Sequence, residues 1–321
     1  TKLYIGPMSK NIVEAIISYV NYKNITLGLI ASRRQVDYNG GYVNNWTTKQ
    51  FCEYVKNKTK NLILCRDHGG IAQGRTYDIG LESFTTDAIC MDIIHIDPWK
   101  VLNTREAIDY TILAIQQCNK INNDCYFEIG TEEAIRAMSI DDLHYLLETI
   151  KLEIPELFKK IVYIVIQSGT AIQAGKNIGK YDETRLLQMI NLCNQYNILS
   201  KEHNGDYLPS KQIIHKFKIG LSAINVAPEL AHLETSIILK HLTNSQMNKW
   251  FDLCIKDGQW KKWFQADFEP ECNKHEVLNL CGHYVLSNEN FSDIFDLQTI
   301  SSQVTDEIYN YIGVILNGQA S

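Results

Sequence analysis

Asp67 and His68 stand side by side in LILCRDHGG (62–70), after an apolar run and before two glycines. A carboxylate can move protons, and an imidazole can move protons or ligate a divalent ion. At the end of a buried strand the pair suits metal or acid–base chemistry; alone, it is an ordinary polar turn. A second imidazole, His203 in KEHNGDY (201–207), follows a later apolar run. Two histidines with carboxylates at one rim suit a divalent metal, and imidazole suits zinc. Lys201 and Lys218 offer a competing chemistry, a Schiff base on a late strand.

These residues matter only if the chain brings them together. Eight strand-length apolar runs recur: KLYIG (2–6), LGLIA (27–31), LILC (62–65), DIIHID (92–97), CYFEIG (125–130), IVYIVIQ (161–167), NILSKEH (197–203) and FKIGLS (217–222). They lack clean alternation, as strands buried on both faces do. Amphipathic segments separate them, among them NIVEAIISYV, TREAIDYTILAIQQC and DETRLLQMINLCNQY. Thr104 with Glu106 resembles one helix start, and Ser139 is a plausible cap of another. Eight strand–helix repeats predict a (β/α)8 TIM barrel over 1–234, with a mostly helical C-terminal extension over 235–321 packed on it. Trp250, Trp260 and Trp263 in that extension are read as packing residues.

A barrel of this kind does its chemistry where the strands end. The second run is followed by Ser32, Arg33, Arg34 and Gln35, and the third by Arg66, Asp67 and His68. The fourth ends at Asp97; the fifth carries Glu128 and leads to Glu132. The sixth ends in Gln167, Ser168 and Gly169, the seventh in Lys201, His203 and Asp206, and the eighth in Gly220 and Ser222. Gly beside a hydroxyl, at Ser168-Gly169 and Gly220–Ser222, offers backbone N–H groups to phosphate. Arg33-Arg34 could clamp a phosphate or carboxylate. His95 alternates with Asp97 and could face the barrel or the helices; it is read as a satisfied buried histidine.

A net charge of −6 without a basic run argues against nucleic acid. An apolar stretch of about 18 residues, the length a membrane span needs, is absent. The nine irregularly spaced cysteines contain no C-x-x-C pair and read as buried thiols of a reducing cytoplasm. Cys272, His275, Cys281 and His283 match no common structural zinc spacing.

SRRQVDYNGGY (32–42), CRDHGG, IHIDPW (94–99), EIGTEEA (128–134), VIQSG (165–169), KEHNGDY, FKIGLS and QWKKWF (259–264) occur in one order. Together they resemble the class II tagatose-bisphosphate aldolase family, in particular its large, "non-catalytic" subunit branch, over most of the chain. The resemblance implies a zinc-dependent aldolase acting on a phosphorylated or acidic sugar through an enediolate. It gives Asp67 proton transfer, His68 and His203 the metal, and Glu132 a place beside Asp67 as a catalytic carboxylate. It implies substrate contacts by Ser32, Arg33, Gln35, Arg66, Asp97, Gln167, Ser168, Gly169, Lys201, Asp206, Gly220 and Ser222. Catalytic class II aldolases carry a further metal-binding His after strand six, but here no His lies between His144 and His203. Glu128, Glu132 or Gln167 could complete the site, and Glu128 is the expected third ligand. Two other functions fit the resemblance: a stabilising subunit for a separate aldolase subunit, and a metal-dependent sugar epimerase or isomerase. A homo-oligomer is expected.

Overall fold

The computed structural model describes residues 1–317. Eight parallel strands close into a barrel in the order β1-β10-β9-β6-β5-β4-β3-β2. They are β1 (Leu3–Ile5), β2 (Leu27–Ser32), β3 (Leu62–Gly69), β4 (Ile93–Ile96), β5 (Tyr126–Gly130), β6 (Ile161–Ile166), β9 (Leu199–Glu202) and β10 (Ala223–Val226). The short pair β7 (Ile172–Gln173) and β8 (Lys176–Asn177) forms an antiparallel ribbon in the loop after β6.

The helices α1 (Lys10–Lys23), α2 (Thr48–Lys56), α3 (Leu81–Cys90), α4 (Thr104–Ile121), α5 (Ile140–Glu153), α6 (Pro155–Phe158), α7 (Glu183–Gln195) and α8 (Ser210–Lys218) lie between successive barrel strands. Local chemistry sets their ends. Asn103, one residue before the expected start, caps α4 in a reciprocal box with Glu106, and Ser139 does the same for α5 with Asp142. After β10 come α9 (Pro228–His241), α10 (Asn244–Asp257), α11 (Lys274–Cys281), α12 (Glu289–Ser292) and α13 (Ser301–Asn317). The division expected at 234 falls inside α9. The last helix packs on α1, α8 and α9, so the extension is built onto the barrel's outer ring.

Two apolar layers follow the strand period of two. Leu3, Ile5, Leu27, Leu29, Ile94, Ile96, Phe127 and Ile164 point outward and join the helices in one large core. Tyr4, Ile30, Cys65, Ile93, Tyr163 and Ala223 fill the barrel interior as a separate cluster. That parity decides which polar side chains near the strand ends face the mouth.

The eighth strand differs from expectation. Phe217 and Lys218 end α8, and the strand is AINV (223–226). Gly220 and Ser222 therefore precede a strand, at the end of the barrel opposite its mouth, where Ser222 bonds Ser200. They cannot serve a substrate at the C-terminal rim.

Glu234 on α9 is fully buried without an ion-pair partner among the described residues, and only the Ser9 and Asn11 side chains ease its charge. Burial pushes its carboxyl up from 4.5 to about 7. The folded chain thus binds more protons than the unfolded chain between those values, and stability falls as pH rises through that window. Glu234→Gln is expected to raise stability by about 1–3 kcal/mol at pH 8, with the gain shrinking by pH 5. Urea melts at the two pH values measure this; an equal gain at both would show that the charge is not the cause.

Among the described residues, no helix is long and apolar enough to cross a membrane. All nine cysteines are free thiols.

Candidate active site

Neighbouring residues on a regular strand point to opposite faces, so Asp67 and His68 should not share a site. A β-bulge brings them together. Arg66 pairs with Ile94 and Gly69 with Ile96, so Asp67 and His68 both stand opposite His95 alone. His68 takes the left-handed conformation at φ +44. Gly69 is required beside it, because a Cβ there would lie 2.6 Å from the His95 carbonyl oxygen. The His68 N–H then reaches His95 Nδ1 at 3.2 Å.

His203 completes the cluster from the end of β9. One ring nitrogen of each histidine faces Asp67 Oδ1: His203 Nδ1 at 3.5 Å, His68 Nε2 at 3.6 Å and His95 Nδ1 at 3.8 Å. Each histidine's other nitrogen is tied down. His68 Nδ1 pairs with Asp97 Oδ2 at 2.6 Å, His95 Nε2 with the Gly130 carbonyl at 3.1 Å, and His203 Nε2 with Glu128 Oε1 at 2.8 Å. Outer partners of this kind fix the tautomer and turn the inner nitrogens of His68 and His203 toward a metal; the inner nitrogen of His95 already accepts the His68 N–H.

Asp67 Oδ1 is buried without a hydrogen-bond partner, at the point where the three imidazoles converge. One ligand atom from each of the four residues lies within 4.8 Å of the others. An orphaned carboxylate oxygen, three oriented imidazoles and this spacing fit a divalent cation. Among the described residues this is the one such group, so Cys272, His275, Cys281 and His283 form none.

The four side chains balance one another's charge, and a cation would have to displace the His68 proton. Burial alone would raise the Asp67 carboxyl, but the imidazoles of His68, His95 and His203 hold it well below its ordinary value. Burial would lower the His68 imidazole; Asp67, Asp97 and Glu132 overcome it and push it up to about 10. Lys201 lies inside the barrel, its ammonium 3.6 Å from the Tyr4 ring centroid and 2.6 Å from Glu128 Oε2. With His203, it keeps Glu128 ionised against the cost of burial.

Several sequence-based expectations change. Glu128, expected as the third metal ligand, has its two oxygens taken by His203 and Lys201; His95 is the buried, satisfied histidine read from the sequence, bonded to the Gly130 carbonyl and the His68 N–H, and it also faces the centre. Asp97 serves His68 and is fully buried, and Lys201 serves Glu128, so neither reaches a substrate. Arg66 points outward, forked onto Asp87 and bonded to the Ala31 and Val36 carbonyls. Arg33 is likewise consumed by Asp37 and Asp78. Gln167 bonds Met138, Thr131, Arg136 and Arg185, holding the loop after β5. Ser168 is buried with Glu202 and Lys216, and Gly169, at φ +84, packs against the Lys180 carbonyl.

Asp67, His68, Glu132, His203 and Asp206 do line one cavity of about 310 Å³. Ser32 and Gln35 line an adjoining one that also contains Asp67, His68 and Glu132. Asp206 is pinned there by the N–H groups of Ala227 and Glu229. Glu132 lies 3.9 Å from His68 Nε2 and accepts from Asn204. The sequence reading missed Asn225, Lys262, Trp263 and Tyr284, which complete the wall. Trp263, read as packing, donates its indole N–H to the Tyr284 hydroxyl at the mouth. Lys262 and Trp263 lie in the QWKKWF segment, but nothing in that segment or around Tyr284 marks a place at the mouth, because the extension reaches it only through the fold.

No family model and no curated protein matches the sequence. Solved structures do. A probable tagatose 6 phosphate kinase from Sinorhizobium meliloti 1021 superposes with a TM-score of 0.77 at 14% identity, over 98% of this chain and 92% of its own. The fructuronate-tagaturonate epimerase UxaE from Cohnella laeviribosi gives 0.66 at 11% identity, over 99% and 80%. The YdjI aldolase from Escherichia coli K12 gives 0.54 at 11%, over 91% and 90%. The fold is theirs. The barrel implied by the aldolase-family resemblance is the one these proteins share.

Proposed function

We propose that the chain is a metal-dependent aldolase of a phosphorylated or acidic sugar. The observation that carries this is the convergence of His68, His95 and His203 on Asp67 Oδ1 inside an open cavity. Three imidazoles would hold the cation and leave a coordination position open, as catalytic zinc sites do. When bound, zinc or a similar divalent ion supplies a Lewis acid for the sugar's carbonyl oxygen.

The protein's own groups do the rest. Asp67, held ionised, accepts the hydroxyl proton released as the carbon–carbon bond breaks and returns it in the synthetic direction. Glu132, 3.9 Å from His68 Nε2 and steadied by Asn204, faces the same space as a second proton carrier. Trp263 and Tyr284 from the extension wall off the mouth. The free thiols support a cytoplasmic setting.

Epimerisation is the second reading. Two carboxylates, Asp67 and Glu132, line one cavity and could serve opposite faces of a carbon, and the epimerase superposes over nearly the whole chain. Products separate the two: a ketose phosphate yields two fragments in an aldolase and one isomer in an epimerase.

Asp67→Asn tests the assignment of the carboxylate. It is expected to keep its metal stoichiometry while turnover falls about 10²–10⁴-fold. Loss of the metal with the activity would instead make Asp67 a ligand, and undiminished turnover would remove it from the chemistry.

A further inference from the structure

The sequence suggested anion binding at Ser168–Gly169, at Gly220–Ser222 and by Arg33-Arg34, and the fold leaves only Arg34 of these. It gives Arg34 new partners. Arg34 after β2, Arg75 after β3, and Lys262 of the extension line a cavity of about 100 Å³ with Asp257 and the rings of Tyr42 and Tyr284. A water needs about 10–15 Å³ on this measure, so the cavity admits a group of several heavy atoms. Lys262 and Tyr284 also line the space holding Asp67, His68 and His203. Arg34 and Tyr284 line the space holding Asp67 and Glu132, with Lys100 at its rim. The three spaces therefore share the walls made by Arg34, Lys262 and Tyr284, so the cationic cavity lies beside the imidazole cluster.

The cations here differ from the other arginines of the rim. Arg33 and Arg66 are each consumed by carboxylates, whereas Arg34, Arg75 and Lys262 form no ion pair among the described residues. One acid, Asp257, faces them. Partial desolvation, followed by the charges of Arg34, Lys100 and Arg75, pushes the Lys262 ammonium down to about 8, against the pull of Asp257. Crowding like charges around a cavity costs free energy that a bound anion relieves.

We infer that this cavity is the subsite for the phosphate of a sugar phosphate, held by Arg34, Arg75 and Lys262. Three cations against one carboxylate leave two positive charges, matching a phosphate monoester above its second pKa of about 6. A guanidinium also presents the fork that phosphate oxygens accept. The inference rests on the proposed function only for the direction in which the molecule lies; the anion binding is independent of it.

Calorimetric titration of inorganic phosphate into the metal-free full chain tests it. Saturable binding is expected, weakened about ten- to a hundredfold in Arg34→Ala and in Lys262→Ala, retained in Lys262→Arg, and unchanged in Asp67→Asn. Acetate is expected to bind at least about tenfold more weakly. Absence of phosphate binding, or its survival in both alanine variants with normal melting curves, overturns the subsite. Acetate binding as tight as phosphate overturns the phosphate assignment in favour of a carboxylated sugar. Loss of turnover with phosphate binding intact falls on the proposed function alone.

Discussion

His95→Ala is expected to lose its metal and its turnover together. Removing an outer partner of a metal-binding imidazole typically costs about 10–100-fold in affinity or activity. Removing one of three inner imidazoles should exceed that. His95 is fully buried, with Nε2 held by the Gly130 carbonyl and Nδ1 facing Asp67 while accepting the His68 N–H, so its loss also frees the turn that carries His68. Equilibrium dialysis with zinc, alongside circular dichroism to confirm the barrel, measures the effect. Full zinc stoichiometry in a folded His95→Ala protein would return the histidine to a structural role. Glu128→Gln provides the contrast. It keeps an acceptor for His203 but weakens the pair with Lys201, so a smaller loss of metal affinity is expected.

Arg66→Ala is expected to show the opposite profile, a large loss of stability with the Michaelis constant of the folded protein unchanged. Arg66 and Asp87 are both fully buried and bidentate, at 2.7 and 2.9 Å, and Arg66 also satisfies two backbone carbonyls and Thr48. Breaking such a pair from one side strands a buried charge and costs about 3–5 kcal/mol. A urea melt reads the loss, and kinetics on the folded fraction read the rest. A raised Michaelis constant with unaltered stability would place the guanidinium at the substrate after all.

The two substitutions mark where the sequence was legible and where it was not. Seven of the eight apolar runs coincide with barrel strands because their Ile, Val, Tyr and Phe content suits strands buried on both faces. The eighth failed because Phe217 and Lys218 are the end of an amphipathic helix, and the true strand, AINV, begins only at Ala223. The rim residues were judged by position rather than by parity. Arg66 lies one step from Cys65, which faces inward, and so faces out to Asp87; His95 lies two steps from Ile93, which faces inward, and so faces in. Strand alternation, applied residue by residue, distinguishes them. Burial patterns could not, since β4 is buried on both faces throughout. Lys262, Trp263 and Tyr284 had no such signal: only the path of the extension brings them to the mouth.

The bulge on β3 has a consequence for how such a barrel changes over evolutionary time. The site exists because two residues oppose one; removing a single residue between Arg66 and Gly69 would restore even alternation and leave room for only one of Asp67 and His68 on the inner face. The outer packing of β2, β3 and β4, which fixes the barrel, would be touched at only one place. One codon thus separates a barrel that assembles an imidazole–carboxylate centre from one with the same architecture and no chemistry. Gain or loss of activity among relatives of this chain can therefore be sought in the length of that short stretch as well as in its residue types.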